Sequence, residues 1–132
     1  MPAIVVTGRL QTTEHWRCTV PNGTIEAQCD ERNCVLKLAG DFGLLETGPL
    51  ERELTRALAR QPARLVVDTS EVTMMATVVI GALLAAARGL SMHGGRICLA
   101  SPSRLVLGTL KHTRLTDLLP VFETVEAALA AG

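Results

Sequence analysis

From residue 64 onward the chain alternates short β-branched or apolar runs with helical stretches, and that order leaves few folds open. Residues 64–68 (Arg-Leu-Val-Val-Asp) read as a short buried strand, residues 77–93 as a long helix stopped by Gly94-Gly95, and residues 96–100 as the next strand. Ser101-Pro102 caps a helix running to about Lys111, residues 119–122 form a last strand, and Thr124 caps an alanine-rich closing helix. Such an order requires parallel strands joined by right-handed crossovers, with helices laid against the sheet.

The earlier part of the chain adds antiparallel pairing. Residues 24–29 and 34–39 are β-compatible runs separated by Asp30-Glu31-Arg32-Asn33, a polar loop of hairpin length. Pro49 at a first-turn position, with Leu50, Leu54, Ala57 and Leu58 behind it, predicts an amphipathic helix ending near Gln61-Pro62. Residues 1–23 carry polar interruptions and the turn signal Pro21-Asn22-Gly23, and read as an extension or a peripheral strand. The expected class is α/β: one domain over residues 24–132, a mixed sheet fed by an N-terminal hairpin, its crossover helices mainly on one face.

At 132 residues, nearly half of them apolar, one domain can bury a core without metals or disulfide staples. Only Trp16, Phe42 and Phe122 are aromatic, so a stacking platform for single-stranded nucleic acid is missing. Charge balances at 13 against 13, which offers no field to draw in nucleic acid or an anionic membrane. The distribution is uneven: no carboxylate lies between Glu71 and Asp117, an interval holding Arg88, Arg96, Arg104, Lys111 and Arg114. The longest apolar run, residues 74–87, is broken by Thr77 and Gly81 and is shorter than the roughly 18 to 20 residues a bilayer span needs. Without a recognisable secretory leader at residues 1–10, the expectation is a cytoplasmic protein with reduced thiols and no membrane insertion.

Chemistry-bearing motifs are scarce. Gly94-Gly95 follows a helix and precedes a strand, the reverse of a nucleotide-binding turn. His15, His93 and His112 show no metal-like spacing, and no Cys-x-x-Cys unit occurs. A nucleophile, base and orienting group cannot be assembled from these motifs, so neither an enzyme nor a cofactor is expected. Cys29 and Cys34 bracket the hairpin loop and form a candidate redox pair if their Cα atoms lie about 4.4 to 6.8 Å apart; two ordinary thiols are the favoured reading. Cys98 is expected in the core.

The stretch Val67-Asp68-Thr69-Ser70-Glu71-Val72-Thr73-Met74-Met75-Ala76-Thr77-Val78-Val79-Ile80-Gly81-Ala82-Leu83-Leu84 resembles, without a gap, the central signature of the STAS domain of bacterial anti-sigma factor antagonists. In that family a strand, a loop and a helix opening at two serines follow one another. Val35-Leu36-Lys37-Leu38-Ala39-Gly40-Asp41-Phe42 is similar to the family's second strand and its Gly-Glu-Leu-Asp turn, and the resemblance runs over residues 24–131.

The resemblance implies a partner-switching device. An unmodified antagonist binds a serine-kinase-type anti-sigma factor and frees the sigma factor; phosphorylation of a hydroxyl at the helix start breaks that contact by adding about two negative charges to it. The acceptor position falls on Thr77, for which a helix N-cap is the favoured reading over a regulated phosphoacceptor. The family's preceding acid is Ala76 here, its second serine Val78, its glycine Val79, and the acid of its turn Gly43. Phosphorylation control is therefore expected to be weak or absent. The implied partner surface comprises Asp41, Phe42, Gly43, Met74, Met75, Ala76, Val78 and Val79, with apolar area exposed, so that Val79→Glu should remove binding and leave the fold intact. The alternative is a STAS-type accessory subunit of a lipid or anion transporter, and homodimerisation is left open.

Overall fold

A computed structural model of the chain describes residues 14–113 and 119–131. Among these described residues six strands form one sheet in the order β1-β2-β3-β4-β5-β6. β1 (Glu14–Val20), β2 (Gly23–Cys29) and β3 (Asn33–Phe42) make an antiparallel meander. β4 (Arg64–Met75), β5 (Arg96–Ala100) and β6 (Val121–Phe122) continue it in parallel from β3. Four helices among the described residues connect or close these strands: α1 (Leu44–Leu58), α2 (Thr77–Ser91), α3 (Arg104–Thr113) and α4 (Val125–Ala130). This is the mixed α/β architecture expected. None of the helices in the described residues is long and apolar enough to cross a membrane.

The hairpin forms where the sequence places it. Asp30 closes its loop, its carboxylate accepting the N–H groups of Arg32 and Asn33 at 2.8 and 2.6 Å. β1, inside the segment read as an extension or peripheral strand, pairs with β2 along its whole length as the sheet's edge; residues 1–13 lie outside the described residues. Trp16 on β1 reaches α1, its indole N–H donating to Glu53 at 2.6 Å while Arg56 stacks 4.2 Å from the ring centre.

Three boundaries differ from expectation for identifiable reasons. α1 begins at Leu44, so Pro49 lies inside the helix and not in its first turn. The earlier start is set by Glu46, whose carboxylate turns back to accept the Gly43 N–H at 2.9 Å while also accepting from Asn22 at 2.9 Å. β4 runs to Met75, well past Asp68, and only Ala76 separates it from α2. Its pairing with β3 shifts between Lys37 and Ala39 and again between Gly40 and Asp41, each time giving β4 one more residue than its partner. Such bulges break the period-two pattern by which a strand is recognised. The α3 cap is Ser103, whose hydroxyl accepts the Val106 N–H at 3.3 Å, in place of Ser101-Pro102. Thr124 caps α4 as expected, accepting from the Ala127 N–H at 3.0 Å.

Alternation along the central strands divides the core in two. Leu36, Leu65, Val67 and Leu99 face Leu50 and Leu54 of α1 and Ile80 and Leu83 of α2 in the larger cluster. Val35, Val66, Cys98 and Ala100 point the other way and are covered by Val125, Ala128 and Leu129 of α4. The larger layer fixes the phase of α1 and α2, and hence which of their residues reach solvent at the ends of β3 and β4.

Candidate docking site at the start of helix α2

β3 and β4 run parallel, so both end at the same edge of the sheet and both deliver the chain into a helix there. Phe42 and Met75 are register partners at that edge. The Ala76 N–H donates to the Phe42 carbonyl at 2.8 Å, and the Ala76 carbonyl accepts from Val79 and Ile80 at 3.0 and 3.4 Å. Ala76, extended at φ −73° and ψ 154°, is therefore the N-cap, and Thr77 is the first helical residue. This corrects the N-cap reading of Thr77. Its side chain is exposed and makes no hydrogen bond to the described residues, and the first turn of α2 contains no acid. The helix start is left without a side-chain cap.

The eight residues expected to form a partner surface fall into two sets. Phe42, Met75 and Val79 are buried, with Phe42 and Val79 fully sealed in the larger core. They support the site from below and offer no surface, which also overturns the expectation that Val79→Glu would spare the fold. Met74 and Val78 are 43 % and 44 % exposed. Asp41 is exposed and accepts a hydrogen bond from the Thr73 hydroxyl, while Gly43 and Ala76 are half-buried.

The first turn of α1 supplies residues that the sequence reading missed. Leu44 and Leu45 are 78 % and 66 % exposed, the former immediately after Gly43. A Cβ at Gly43 would lie 3.5 Å from the Met74 Cε, so the two helix starts adjoin. Leu44, Leu45, Met74 and Val78 are thus four large apolar side chains reaching solvent at or beside the two helix starts, which makes this end of the sheet a candidate interaction surface. Pro49, taken as the first turn, hid the two leucines; the Gly43-to-Glu46 spacing that begins the helix was the available signal.

Cys29 and Cys34 lie at the opposite end of β3 from Phe42, about 25 Å away at strand rise. They are direct cross-strand partners with Cα atoms 4.1 Å apart, fully buried, and joined as a disulfide. The favoured reading of two thiols gives way to the paired alternative, because the hairpin register brings the two side chains face to face, at a Cα separation just under the lower bound of about 4.4 Å expected from sequence. Cys18 is half-buried and free; Cys98 is free and buried as expected, its thiol pushed up to about 11 by burial.

A family model described as "Mlab, STAS domain" matches residues 25–120, well over half of the chain. The chain belongs to the STAS domain family. Solved structures carry the same fold. An anti-sigma factor antagonist from Mycobacterium paratuberculosis superposes with a TM-score of 0.75 at 21 % identity, over 85 % of this chain and 96 % of that one. The Bacillus anti-sigma factor antagonist SpoIIAA in its unphosphorylated form gives 0.71 at 18 % identity, over 80 % and 92 %. A STAS domain protein from Planctomyces limnophilus gives 0.65 at 18 % identity, over 80 % and 95 %. No curated protein sequence matches the chain. At these identities the structural likeness establishes the fold of this STAS domain, whose Thr77 stands first in the helix after the central strand.

Proposed function

We propose that this STAS domain acts as an anti-sigma factor antagonist-like regulator in the cytoplasm, binding a serine-kinase-type anti-sigma factor through the surface around Thr77 and so promoting sigma-dependent transcription. The observation that carries the reading is the exposed apolar group Leu44, Leu45, Met74 and Val78, assembled where two helices start side by side. Domain recognition is the work of such a surface, and no chemistry by this chain is needed.

Phosphorylation has little hold on this interaction. Thr77 is accessible, but Ala76 stands where the family carries an acid and Gly43 replaces a second one. Two carboxylates that would help shape the kinase-facing surface are thus absent. The experiment is calorimetry between the purified chain and the kinase-type anti-sigma factors of its own genome, with and without ATP. Micromolar or tighter binding that Val78→Asp removes and ATP leaves unchanged is the expected result; no binding to any of them overturns the reading.

One observation favours a second reading. The family model that matches is that of an Mlab STAS domain and not of an antagonist, and the other role open to a STAS domain is as accessory subunit of a lipid or anion transporter. Calorimetry against the ATPase subunits of lipid and anion transporters from the same genome separates the two.

A further inference from the structure

Beside the C-terminal half of α2 the sheet is notched. β6 contributes only Val121 and Phe122, which pair with Leu99 and Ala100, so among the described residues the first half of β5 has no strand on that side. The space left is a half-open cleft of about 370 Å³, with Leu84, Ala87 and Arg88 of α2 on one wall and Arg96, Ile97 and Pro120 on the other. That volume lies within the range of roughly 300 to 1,000 Å³ typical of small-molecule sites.

Its walls combine two chemistries. Leu84 and Ala87 pack against the larger core yet are only partly buried, so each leaves an apolar side toward the cleft. Arg88 and Arg96 are exposed, and neither has an ion-pair partner among the described residues. Residues 72–113 contain no Asp or Glu, so α2, β5 and the described part of α3 set no carboxylate of their own against these guanidinium groups. The negative pole of α2 does not cancel them: the carbonyls of Arg88, Leu90 and Ser91 already accept the N–H groups of Met92, His93, Gly94 and Gly95.

We propose that this cleft binds an anion carried on a short hydrocarbon chain, its phosphate or carboxylate head held by Arg88 and Arg96 and its chain laid on Leu84, Ala87, Ile97 and Pro120. The inference does not depend on the docking surface, which lies at the other end of α2. Guanidinium groups hold such heads by charge-assisted hydrogen bonds, and the apolar wall selects for the chain.

Titration of the 15N-labelled full chain with octyl phosphate below its micelle concentration, followed by amide shifts, tests this. Saturable shifts centred on Leu84, Ala87 and Ile97 are expected, with octanoate acting alike and inorganic phosphate and octanol each at least tenfold weaker. The double variant Arg88→Ala, Arg96→Ala, its folding verified by Trp16 fluorescence, should lose at least tenfold in octyl phosphate affinity. Ala87→Leu, which fills the cleft and keeps both arginines, should lose affinity as well. Equal binding of inorganic phosphate would make this a plain anion site, and equal binding of octanol a plain apolar one; either overturns the proposal. So do shifts centred on Leu44, Met74 and Val78, or unchanged affinity in the double variant.

Discussion

The Phe42 carbonyl accepts the Ala76 N–H at 2.8 Å, so a bond at the end of the β3–β4 ladder also sets where α2 begins. With the helix starting at Thr77, successive inward positions fall on Val79, Ile80, Leu83, Ala86 and Leu90, and Val78 is turned to solvent. Two neighbouring valines thereby acquire opposite roles.

Val79→Glu should destabilise the domain severely and Val78→Asp should not. A carboxylate at Val79 would enter a sealed apolar core with no partner, a cost on the order of 3 to 5 kcal/mol, a large part of the roughly 5 to 15 kcal/mol that holds a domain together. Asp at Val78 sits in water beside the positive end of a helix and should change stability by less than about 0.5 kcal/mol. Urea unfolding of both variants checks the contrast. Equal midpoints for the two would contradict the phase assigned to α2.

The same bond decides what Thr77 is worth. Because Ala76 holds the cap position, Thr77→Ala removes no capping hydrogen bond and should leave thermal stability within about 0.5 kcal/mol of the parent. Thr124→Ala, which deletes the hydroxyl that receives the Ala127 N–H, should cost about 1 kcal/mol. Thermal melts of the two variants would show the reverse order if Thr77 were the cap after all.

What could be read from the sequence was what local chemistry dictates. The hairpin, α2, β5 and the Thr124 cap follow from period, turn residues and caps lying within a few positions of one another. The second half of β4, beyond Asp68, escaped because two bulges, opposite Lys37–Ala39 and Gly40–Asp41, interrupt its alternation, and a bulge is set against a partner strand the sequence does not display. The start of α1 escaped because Pro49 is a familiar first-turn residue, whereas the true start depends on Glu46 reaching Gly43 and Asn22. At the site, Thr77 at the helix start was legible, and the inward spacing of residues 79, 83, 86 and 90 carries the burial of Val79; that of Phe42 and Met75 depends on the β3–β4 register, which the sequence does not display. The Cys29–Cys34 pair was allowed by spacing and decided by register.

Protein isolated without reductant should show two reactive thiols in denaturant, Cys18 and Cys98, and four after reduction. In the native state Cys18 should react first. Cys98, buried and with its thiol raised to about 11, should react only as the domain opens. For so short a loop the bond should contribute about 2 kcal/mol, visible as a lower urea midpoint after reduction. Four thiols without reductant would dismiss the bond.

The acid side of the stability curve should carry a small contribution from Glu71. Its hydrogen bond to Lys37 holds the carboxylate below its ordinary value of 4.5, so the gain is present above that value and disappears as pH falls through the lower, folded one. Lys37 is raised above 10.5 by the same contact, so its share persists below that value and fades as pH climbs past the folded one. Glu71 is fully solvated, and the effect should be slight and salt-sensitive. Glu71→Gln should flatten the loss of stability between about pH 5 and 3, read from urea midpoints at low ionic strength; an unchanged slope would remove the pair from the account.

Trp16, the single tryptophan, reports on whether the edge strand stays attached. Its indole N–H reaches the Glu53 carboxylate at 2.6 Å, Arg56 lies over its ring, and Arg60 pairs with Glu14 two residues before it. These contacts bind β1 to α1, where the strand otherwise has only β2 as a neighbour in the sheet. Glu53→Ala removes a charge-assisted acceptor from a half-buried donor and should cost about 1.5 to 3 kcal/mol, while Glu53→Gln keeps an acceptor and should recover part of that. The accompanying signal is a red shift of Trp16 emission and faster amide exchange confined to β1. Uniform acceleration of exchange through all six strands would mean that β1 does not open as a separate unit, because the loss would then be shared by the whole cooperative core.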